Sequence, residues 1–296
     1  MRAFHTHWTK PMFYGDEYKS EDYEIIATIL SALNWREYMG DIKLYTDEQG
    51  YKEYEKYDML DLWNLGIDTE TLEGIPDSID ANYWAAGKLY ATEQEPLGSC
   101  SIDRDFIIWD DISKYIENKD LYGAHREPTY DVYDRLYDYT TSGDYYFGEY
   151  VDFDVYPINA SFMMLNDQEL KETYIDEFFR FITTDFEPSD KSDYTTLLVF
   201  AEQSLLSMMA EYYEYSMGTI FEQRRPYFEN KEITHTWGFK AIMKEDKQME
   251  DWYYYNIMLR LKEDYPTYYA KLISNNPTYK KYHDELQSMT ASNFNK

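Results

Sequence analysis

Residues 98–109 read GSCSIDRDFIIW, and they place two carboxylates where a buried strand is predicted to end. Two aspartates, Asp103 and Asp105, stand between two strand-like segments, GSCSI before them and DFIIW from the second aspartate onward. A carboxylate in an apolar setting is costly unless it is paired or binds a cation. The pattern therefore predicts either a metal site or a solvated turn where a buried strand ends.

Spacing alone does not separate these two alternatives. Asp and Glu make up 57 of the 296 residues, so random placement gives about 11 acid-x-acid pairs. Neighbouring carboxylates raise one another's pKa, and a divalent cation relieves that repulsion. Oxygen ligands favour Mg²⁺ or Mn²⁺, and such an ion completes its shell with substrate phosphates and water. From the pattern alone, the metal site and the solvated turn stay equally open.

Composition excludes several classes of partner and site. The net charge of −29 repels phosphate backbones and anionic membranes, so we expect no nucleic-acid partner and no stable membrane insertion. No apolar run reaches the roughly 18 residues of a membrane helix, and the start, MRAFHTHWTKP, lacks the apolar stretch of a signal peptide. Cys100 is the only cysteine, which excludes an internal disulfide. These features predict a cytoplasmic protein.

The first 125 residues alternate strand-like and helix-like patterns. Strands are predicted at RAFHTHW, DIKLYTD, MLDLW, GSCSI, DFIIW and LYGAHRE. Helices are predicted after an N-cap at Ser20 and at YKEYEKYD, ANYWAAGKLYATEQ and DISKYIEN. This alternation is typical of an α/β fold with a mostly parallel sheet flanked by helices. Ligands bind such sheets outside the carboxyl ends of the strands, where the polar residues are Thr6, His7, Thr46, Asp47, Asp103 and Asp105.

The remainder of the chain is more helical. Strands are predicted at VYPINASFMML, TIFEQ and EITHTW, and helices at DQELKETYIDEFFRFI and YTTLLVFAEQSLLSMMAEYYEY. A helical tail from Glu245 is divided near Pro266 and Pro277, because proline ends a helix at the preceding residue. The sequence has no internal repeat and no low-complexity linker, so we predict a single domain over residues 1–296.

Several segments, taken in order, resemble the GT-A glycosyltransferases, which use nucleotide-sugar donors and have a Rossmann-like sheet. GSCSIDRDFIIW resembles their Asp-x-Asp motif, DIKLYTDEQG their second strand and loop, and NYWAAGKLYA the helix before the motif. THTWGFK resembles the His-x-x-Gly-x-Lys segment of retaining, glycogenin-like and lipopolysaccharide-type galactosyltransferases. The W-x-K-P, LYTD and W-A-x-G-K blocks are most similar to those of poorly characterised bacterial glycosyltransferase-like proteins.

The resemblance implies a division of the chain and a metal site. Residues 1–125 would be the nucleotide-binding half, 126–243 the acceptor half and 244–296 C-terminal helices. The donor would be a nucleoside-diphosphate sugar, the acceptor a glycan or a lipid-linked molecule, and transfer would retain the anomeric configuration. The cofactor would be Mn²⁺ or Mg²⁺, held by Asp103, Asp105 and His235.

The resemblance also implies roles for other residues. Gly238 would let the backbone approach the diphosphate, and Lys240 would neutralise its growing charge. Nucleotide contacts would come from Thr6, His7, Thr46, Asp47, Lys88, Asp103, Gly238 and Lys240, and Lys240 would also act in catalysis. Glu202 and Gln203 are further candidate catalytic residues on a different ground, because they interrupt an apolar helix and could face the sugar. Two departures bear on acceptor binding and activity. The family's Pro-Trp after the lysine is Ala241-Ile242, and its Asn-x-Gly segment is Asn159-Ala160-Ser161.

Alternative interpretations stay open at this point. A glycoside hydrolase would also use paired carboxylates and aromatic residues, and a non-catalytic protein on the same fold would keep the nucleotide- or glycan-binding pocket alone. His235 would by default be a structural histidine, and Glu202 with Gln203 a satisfied buried polar pair. Trp8 and Trp84 would by default be core residues rather than platforms for a sugar ring.

Overall fold

The computed structural model describes residues 1–127, 139–141, 147–184, 186–188, 195–221, 232–236 and 239–293. Its strands are β1 (Ala3–His7), β2 (Phe13–Tyr14), β3 (Glu17–Tyr18), β4 (Ile42–Thr46), β5 (Ile67–Asp68), β6 (Cys100–Ile102), β7 (Phe106–Ile108), β8 (Leu121–Gly123), β9 (Tyr139–Thr141), β10 (Phe162–Leu165), β11 (Phe186–Pro188), β12 (Met217–Thr219) and β13 (Ile233–His235).

The α-helices are α1 (Asp22–Tyr38), α2 (Glu48–Lys56), α3 (Glu70–Glu73), α4 (Ala85–Gln94), α5 (Gln168–Ile182), α6 (Thr195–Val199), α7 (Leu205–Tyr212), α8 (Phe239–Glu245), α9 (Lys247–Asp264), α10 (Pro266–Asn275) and α11 (Pro277–Asn293). A π-helical turn, Phe200–Ser204, joins α6 to α7. Short 3₁₀ turns occupy Lys10–Met12, Leu60–Leu62 and Ser113–Tyr115.

A seven-stranded sheet, in the order β12-β8-β10-β6-β1-β4-β5, forms the centre of the fold. The pairs β5–β4, β4–β1, β1–β6 and β8–β12 are parallel, and β10 runs antiparallel to both of its neighbours. The sheet is thus mostly parallel and flanked by helices, as the alternating pattern predicts. The carboxyl ends of β1, β4, β6 and β8 consequently meet at one edge.

Side chains of the central strands alternate between two apolar cores, one on each face of the sheet. In β1, Ala3 packs with α1 and the C-terminal helices, whereas Phe4 packs with α4, α5 and α7. This alternation follows from the two-residue period of a strand. Helix α9 packs on α1, and the C-terminal helices bury Tyr254, Met258 and Leu272.

Several local predictions are wrong. MLDLW does not form a strand: Met59, Leu62 and Trp63 are buried around a 3₁₀ turn, and the strand that pairs with β4 on the side away from β1 is Ile67–Asp68. A short apolar run satisfies either geometry, and packing decides between them. Glu21, rather than Ser20, is the N-cap of α1 and makes no side-chain cap. The DISKYIEN helix is limited to the 3₁₀ turn Ser113–Tyr115.

Among the described residues, every helix is too short or too polar to cross a lipid bilayer.

Candidate active site

The Asp-x-Asp stretch forms a turn at the carboxyl end of β6. The backbone N–H of Asp103 donates to the carbonyl of Ser161 at 2.8 Å, and the N–H of Phe106 donates to the carbonyl of Asp103 at 2.9 Å. The first bond ties the turn to the start of β10, and the second closes the turn itself. Both aspartates are therefore fixed by the backbone of two buried strands, β6 and β7.

A separate pair of strands brings His235 to this turn. β13 runs antiparallel to β7, with His235 opposite Phe106, so the imidazole lies next to the residue that follows Asp105. Its Nε2 is 3.6 Å from Oδ1 of Asp105 and 3.7 Å from Oδ2 of Asp103. One ligand atom from each of the three side chains lies within 4.8 Å of the other two.

Each aspartate also has a lysine partner. Lys88 Nζ lies 2.7 Å from Oδ1 of Asp103, and Lys240 Nζ lies 3.0 Å from Oδ2 of Asp105. Burial by itself raises the pKa of Asp103, but the Lys88 ammonium and His235 outweigh it and lower that pKa to about 2. Burial is likewise outweighed at Asp105 by Lys240 and His235, and its pKa lies below the ordinary range. Both side chains are carboxylates at neutral pH.

The two lysines differ in their remaining contacts. Lys88 is mostly buried and contacts three acceptors: Asp103, Glu202 Oε1 at 2.6 Å and the carbonyl of Ala160 at 3.1 Å. An ammonium has three donors, so these contacts account for all of them. Lys240 is 37% exposed and lies between Asp105 and Glu24, whose Oε1 is 3.6 Å away. Lys240 therefore still faces solvent, whereas Lys88 is a buried link between two carboxylates.

A cleft of about 320 Å³ opens above these groups. Its lining includes the predicted Thr6, His7, Lys88, Asp103, Asp105, Glu202 and Lys240 together with the indole-bearing Trp8 and Trp84. His235 lies at the same turn through its contacts with both aspartates. The structure thus gathers most of the predicted site residues at the carboxyl edge of the sheet.

Three predicted site residues, Thr46, Asp47 and Gln203, are not part of the cleft lining. Thr46 donates through Oγ1 to the carbonyl of His7 at 2.8 Å, and Asp47 caps α2 by accepting from the N–H of Gly50 at 2.9 Å. Neither residue is among those that line the cleft. Gln203 is buried beside Glu202 and is not among the lining residues. Gly238 lies outside the described residues.

Glu202 reaches the cleft from an irregular turn. It is 6% exposed and belongs to the π-helical turn between α6 and α7. Such turns widen the helix and are frequent at functional sites. The run TLLVFAEQSLL is buried around it, as the apolar pattern predicts, with Leu197, Leu198, Phe200 and Leu205 at 0–1% exposure.

Two further charged residues of the cleft were missed by sequence reasoning. Arg104, between the aspartates, lies with Nη1 3.2 Å from the Tyr54 hydroxyl and with Nη2 3.6 Å from Glu24. A basic residue at the centre of an Asp-x-Asp turn is a signal that could have drawn attention to Arg104. Glu24 lies in the first turns of α1, where an acidic residue is ordinary, so the pattern contains nothing that marks it.

The tryptophans differ in exposure. Trp8 is 7% exposed and packs on α4, where a Cβ at Gly87 would lie 2.7 Å from Trp8 Cβ. Trp84, at the N-cap of α4, is 50% exposed at the mouth of the cleft. It lies one helical turn before Lys88, so the two residues are neighbours along α4. The default expectation of a core residue holds for Trp8 and is wrong for Trp84.

The three candidate ligands, Asp103, Asp105 and His235, suit a hard or borderline divalent cation. Two ionised carboxylates offer oxygen ligands and the imidazole offers a nitrogen, a combination that Mn²⁺ accepts and that Mg²⁺ accepts less readily. Three protein ligands leave about three positions of an octahedral shell for other oxygens. Among the described residues, this is the one group of three or more His, Cys, Asp or Glu side chains with metal-binding spacing.

Solved structures similar to this chain include three glycosyltransferases. The apo-form glycosyltransferase GlyE of Streptococcus pneumoniae TIGR4 is 12% identical with a TM-score of 0.37, over 73% of this chain and 44% of GlyE. Mouse xyloside xylosyltransferase 1, also apo, is 8% identical with a TM-score of 0.37, over 74% and 84% of the two chains. The PaToxG glycosyltransferase is 11% identical with a TM-score of 0.39, over 97% and 84%.

The chain thus spans less than half the length of the GlyE structure that it matches. No curated protein sequence matches it. A family profile, by contrast, covers almost the whole chain, from residue 1 to residue 275. The protein therefore belongs to DUF6734, which is described as a family of unknown function.

Proposed function

We propose that this protein is a metal-dependent glycosyltransferase that moves a sugar from a nucleoside-diphosphate donor to a glycan, a lipid-linked molecule or another acceptor. The observation that carries the proposal is the convergence of Asp103, Asp105 and His235 within 4.8 Å at the carboxyl edge of the sheet. An α/β sheet binds ligands at this edge. A metal ion held by carboxylates there needs additional oxygen ligands, which a diphosphate supplies.

The charge of the cleft supports an anionic ligand that arrives with a cation. Four carboxylates line it, from Glu24, Asp103, Asp105 and Glu202, against three cations, from Lys88, Arg104 and Lys240. Its formal charge is thus close to neutral in a protein whose net charge is −29. A divalent ion would make the cleft net positive, which favours a diphosphate that the rest of the surface repels.

Within this proposal the residues have distinct roles. Asp103, Asp105 and His235 would hold the metal ion, and the bound ion would supply Lewis-acid chemistry to the diphosphate. Lys240, which lies beside Asp105 and is partly exposed, would neutralise the charge of the diphosphate as its bond to the sugar breaks. Lys88 keeps the Glu202 carboxylate beside Asp103, where it can orient the donor sugar. Thr6 and His7, at the end of β1, line the part of the cleft that we assign to the nucleoside.

A glycoside hydrolase that uses Asp103 and Asp105 as its acid pair is disfavoured by the ionisation of both side chains. Such an enzyme needs one carboxylic acid that is protonated at working pH and can protonate the leaving group. The pKa of Asp103 is lowered to about 2 and that of Asp105 is also lowered. Neither aspartate can supply that proton at neutral pH.

The deciding experiment is a thermal-unfolding panel of nucleoside diphosphates and nucleotide sugars, each with Mn²⁺, with Mg²⁺ or with a chelator. A ligand at about 100 times its dissociation constant stabilises the fold by about 2.7 kcal/mol, or roughly 5 °C for a chain of this size. We expect one nucleotide to give this shift with metal and little shift with chelator. Equal shifts with and without metal, or none with any nucleotide, would refute the proposal.

Transfer itself is tested with the donor that the panel identifies. Release of nucleoside diphosphate, with a candidate acceptor or with water, shows catalysis, and NMR of the product tells whether the anomeric configuration is retained. Binding without release would instead support a non-catalytic nucleotide-binding protein on the same fold.

A further inference from the structure

A chain of buried polar side chains lies behind the candidate metal site. His125 Nε2 is 3.1 Å from Oε1 of Glu127, and the Asn159 amide donates to the same oxygen at 2.7 Å. Exposure is 7% for His125, 0% for Glu127 and 1% for Asn159. A carboxylate without contact with water is costly to bury, so its presence behind a candidate site calls for a role.

The carbonyl side of the Asn159 amide holds the segment that leads into β10. Its Oδ1 accepts from the N–H of Ser161 at 3.0 Å and from the Ser161 hydroxyl at 2.5 Å. The hydrogen bond from the Ser161 hydroxyl exists because this chain has serine where the Asn-x-Gly segment of the GT-A glycosyltransferases has glycine. The Asn159 side chain is therefore engaged inside the protein on both its oxygen and its nitrogen.

The same segment fixes two groups of the site through its carbonyls. The carbonyl of Ser161 accepts from the N–H of Asp103 at 2.8 Å, and the carbonyl of Ala160 accepts from Lys88 Nζ at 3.1 Å. Asp103 is a candidate metal ligand, and Lys88 links it to Glu202. A displacement of residues 159–161 would consequently move the Asp-x-Asp turn and its lysine together.

We propose that Glu127 and Asn159 are positioning residues of the metal site, acting through the backbone of residues 159–161. Glu127 orients the Asn159 amide, Asn159 orients Ser161, and Ser161 sets the position of Asp103. This inference rests on the proposed metal site, and what Glu127 and Asn159 control is the position of Asp103. It predicts that Asn159 supports metal binding from behind, instead of contacting the acceptor as the resemblance implies.

The expected size of the effect follows from other metal proteins. Removing a residue that orients a metal ligand typically weakens metal affinity by about 10- to 100-fold. We expect a loss of this size for Asn159→Ala and for Glu127→Gln. Ser161→Ala deletes only the hydroxyl bond and keeps the Ser161 carbonyl, so a smaller loss is expected. This milder variant keeps the inference testable if the other two fold poorly.

The test uses the full chain and two measurements. Calorimetric titration with Mn²⁺ alone gives metal affinity, and hydrogen exchange gives the protection of the Asp103 amide, which needs no metal. Glu95→Gln is the matched control, because Glu95 is also a buried carboxylate, 3% exposed, but bonds to Arg2 and Tyr45 instead of the site. It should lower stability while leaving Mn²⁺ affinity and the Asp103 amide unchanged.

The inference is supported if Asn159→Ala binds Mn²⁺ at least tenfold more weakly and its Asp103 amide exchanges faster than global stability explains. It is overturned if Asn159→Ala matches the parent in both measurements, and the proposed function then stands. If the parent itself does not bind Mn²⁺, the proposed function is overturned and the metal-positioning role with it.

Discussion

His235 Nε2 lies 3.6 Å from Oδ1 of Asp105, although the two residues are distant in the chain. The antiparallel pair β7–β13 produces this approach, because it sets His235 opposite Phe106, directly after Asp105. The order of the motifs predicts that the three candidate ligands, Asp103, Asp105 and His235, meet in space, and the structure agrees for all three. Four predictions test what this cluster and its surroundings do.

Asp105→Asn should abolish the metal-dependent part of nucleotide stabilisation. An amide is neutral and a poor ligand for a hard cation, and the change also removes the partner of Lys240. The measurement is the melting shift with nucleotide, with and without Mn²⁺, where the parent should shift by roughly 5 °C. Asp110→Asn is the control, since Asp110 is exposed after β7. Unchanged metal dependence in Asp105→Asn would contradict the site assignment.

Lys240→Ala should weaken nucleotide binding while metal is still required. A hydrogen bond to a charged group is worth about 1.5–3 kcal/mol, which corresponds to about 10- to 100-fold in the dissociation constant. Isothermal titration of the nucleoside diphosphate in saturating Mn²⁺ measures the effect. Lys244→Ala, one turn later on α8 and exposed, should bind like the parent. If both variants bind equally well, Lys240 does not contact the diphosphate.

Trp84→Ala should weaken binding of the donor by about tenfold, within the 1–3 kcal/mol typical of stacking on an aromatic ring. Its indole is 50% exposed at the cleft mouth, so its removal should cost little stability. Comparison of nucleoside diphosphate with nucleotide sugar shows whether the base or the sugar loses its contact. Trp252→Ala removes an equally exposed tryptophan, at 55%, outside the cleft lining. Equal affinities for both variants would exclude a platform role.

The acid sensitivity of the fold should depend in part on Glu95. Burial alone raises the pKa of this carboxyl, but hydrogen bonds from Arg2 and from the Tyr45 hydroxyl outweigh it, so the pKa is lowered. The Arg2 Nη2–Glu95 Oε1 distance is 2.7 Å and the Tyr45 Oη–Glu95 Oε1 distance is 2.9 Å. The unfolded chain, with an ordinary glutamate pKa of about 4.3, binds the proton more readily than the folded one.

Glu95 therefore contributes stability that is present above the unfolded pKa and is lost as the pH falls through the lowered folded pKa. Glu95→Gln should lower the free energy of unfolding at pH 7 by about 1–3 kcal/mol and should flatten its decline below about pH 5. Urea unfolding at a series of pH values from 7 to 3 measures both. If the free energy of unfolding of Glu95→Gln were below that of the parent by the same amount at every pH, the charge of Glu95 would contribute nothing to the acid sensitivity.

Local patterns were sufficient for most of the secondary structure. The short strand of β1, the helical spacing in α1 and the prolines at 266 and 277 each reflect interactions within one segment, and the structure agrees with them. Where two local geometries satisfy the same residues, as at Met59–Trp63, the choice depends on what packs against them. The sequence pattern does not contain that information.

For the candidate site, the sequence determined the ligand types and the edge of the sheet at which they lie. Asp103 and Asp105 follow a buried strand, and strand ends of a parallel sheet converge. Only the tertiary structure decided which polar residues face the cleft. In the folded chain Asp47 caps α2, and the Lys88 ammonium uses its three donors on Asp103, Glu202 and the carbonyl of Ala160. Trp84, rather than Trp8, is exposed. These outcomes depend on partners distant in sequence, and a side chain's neighbours are fixed only when the helices and strands that carry them pack together.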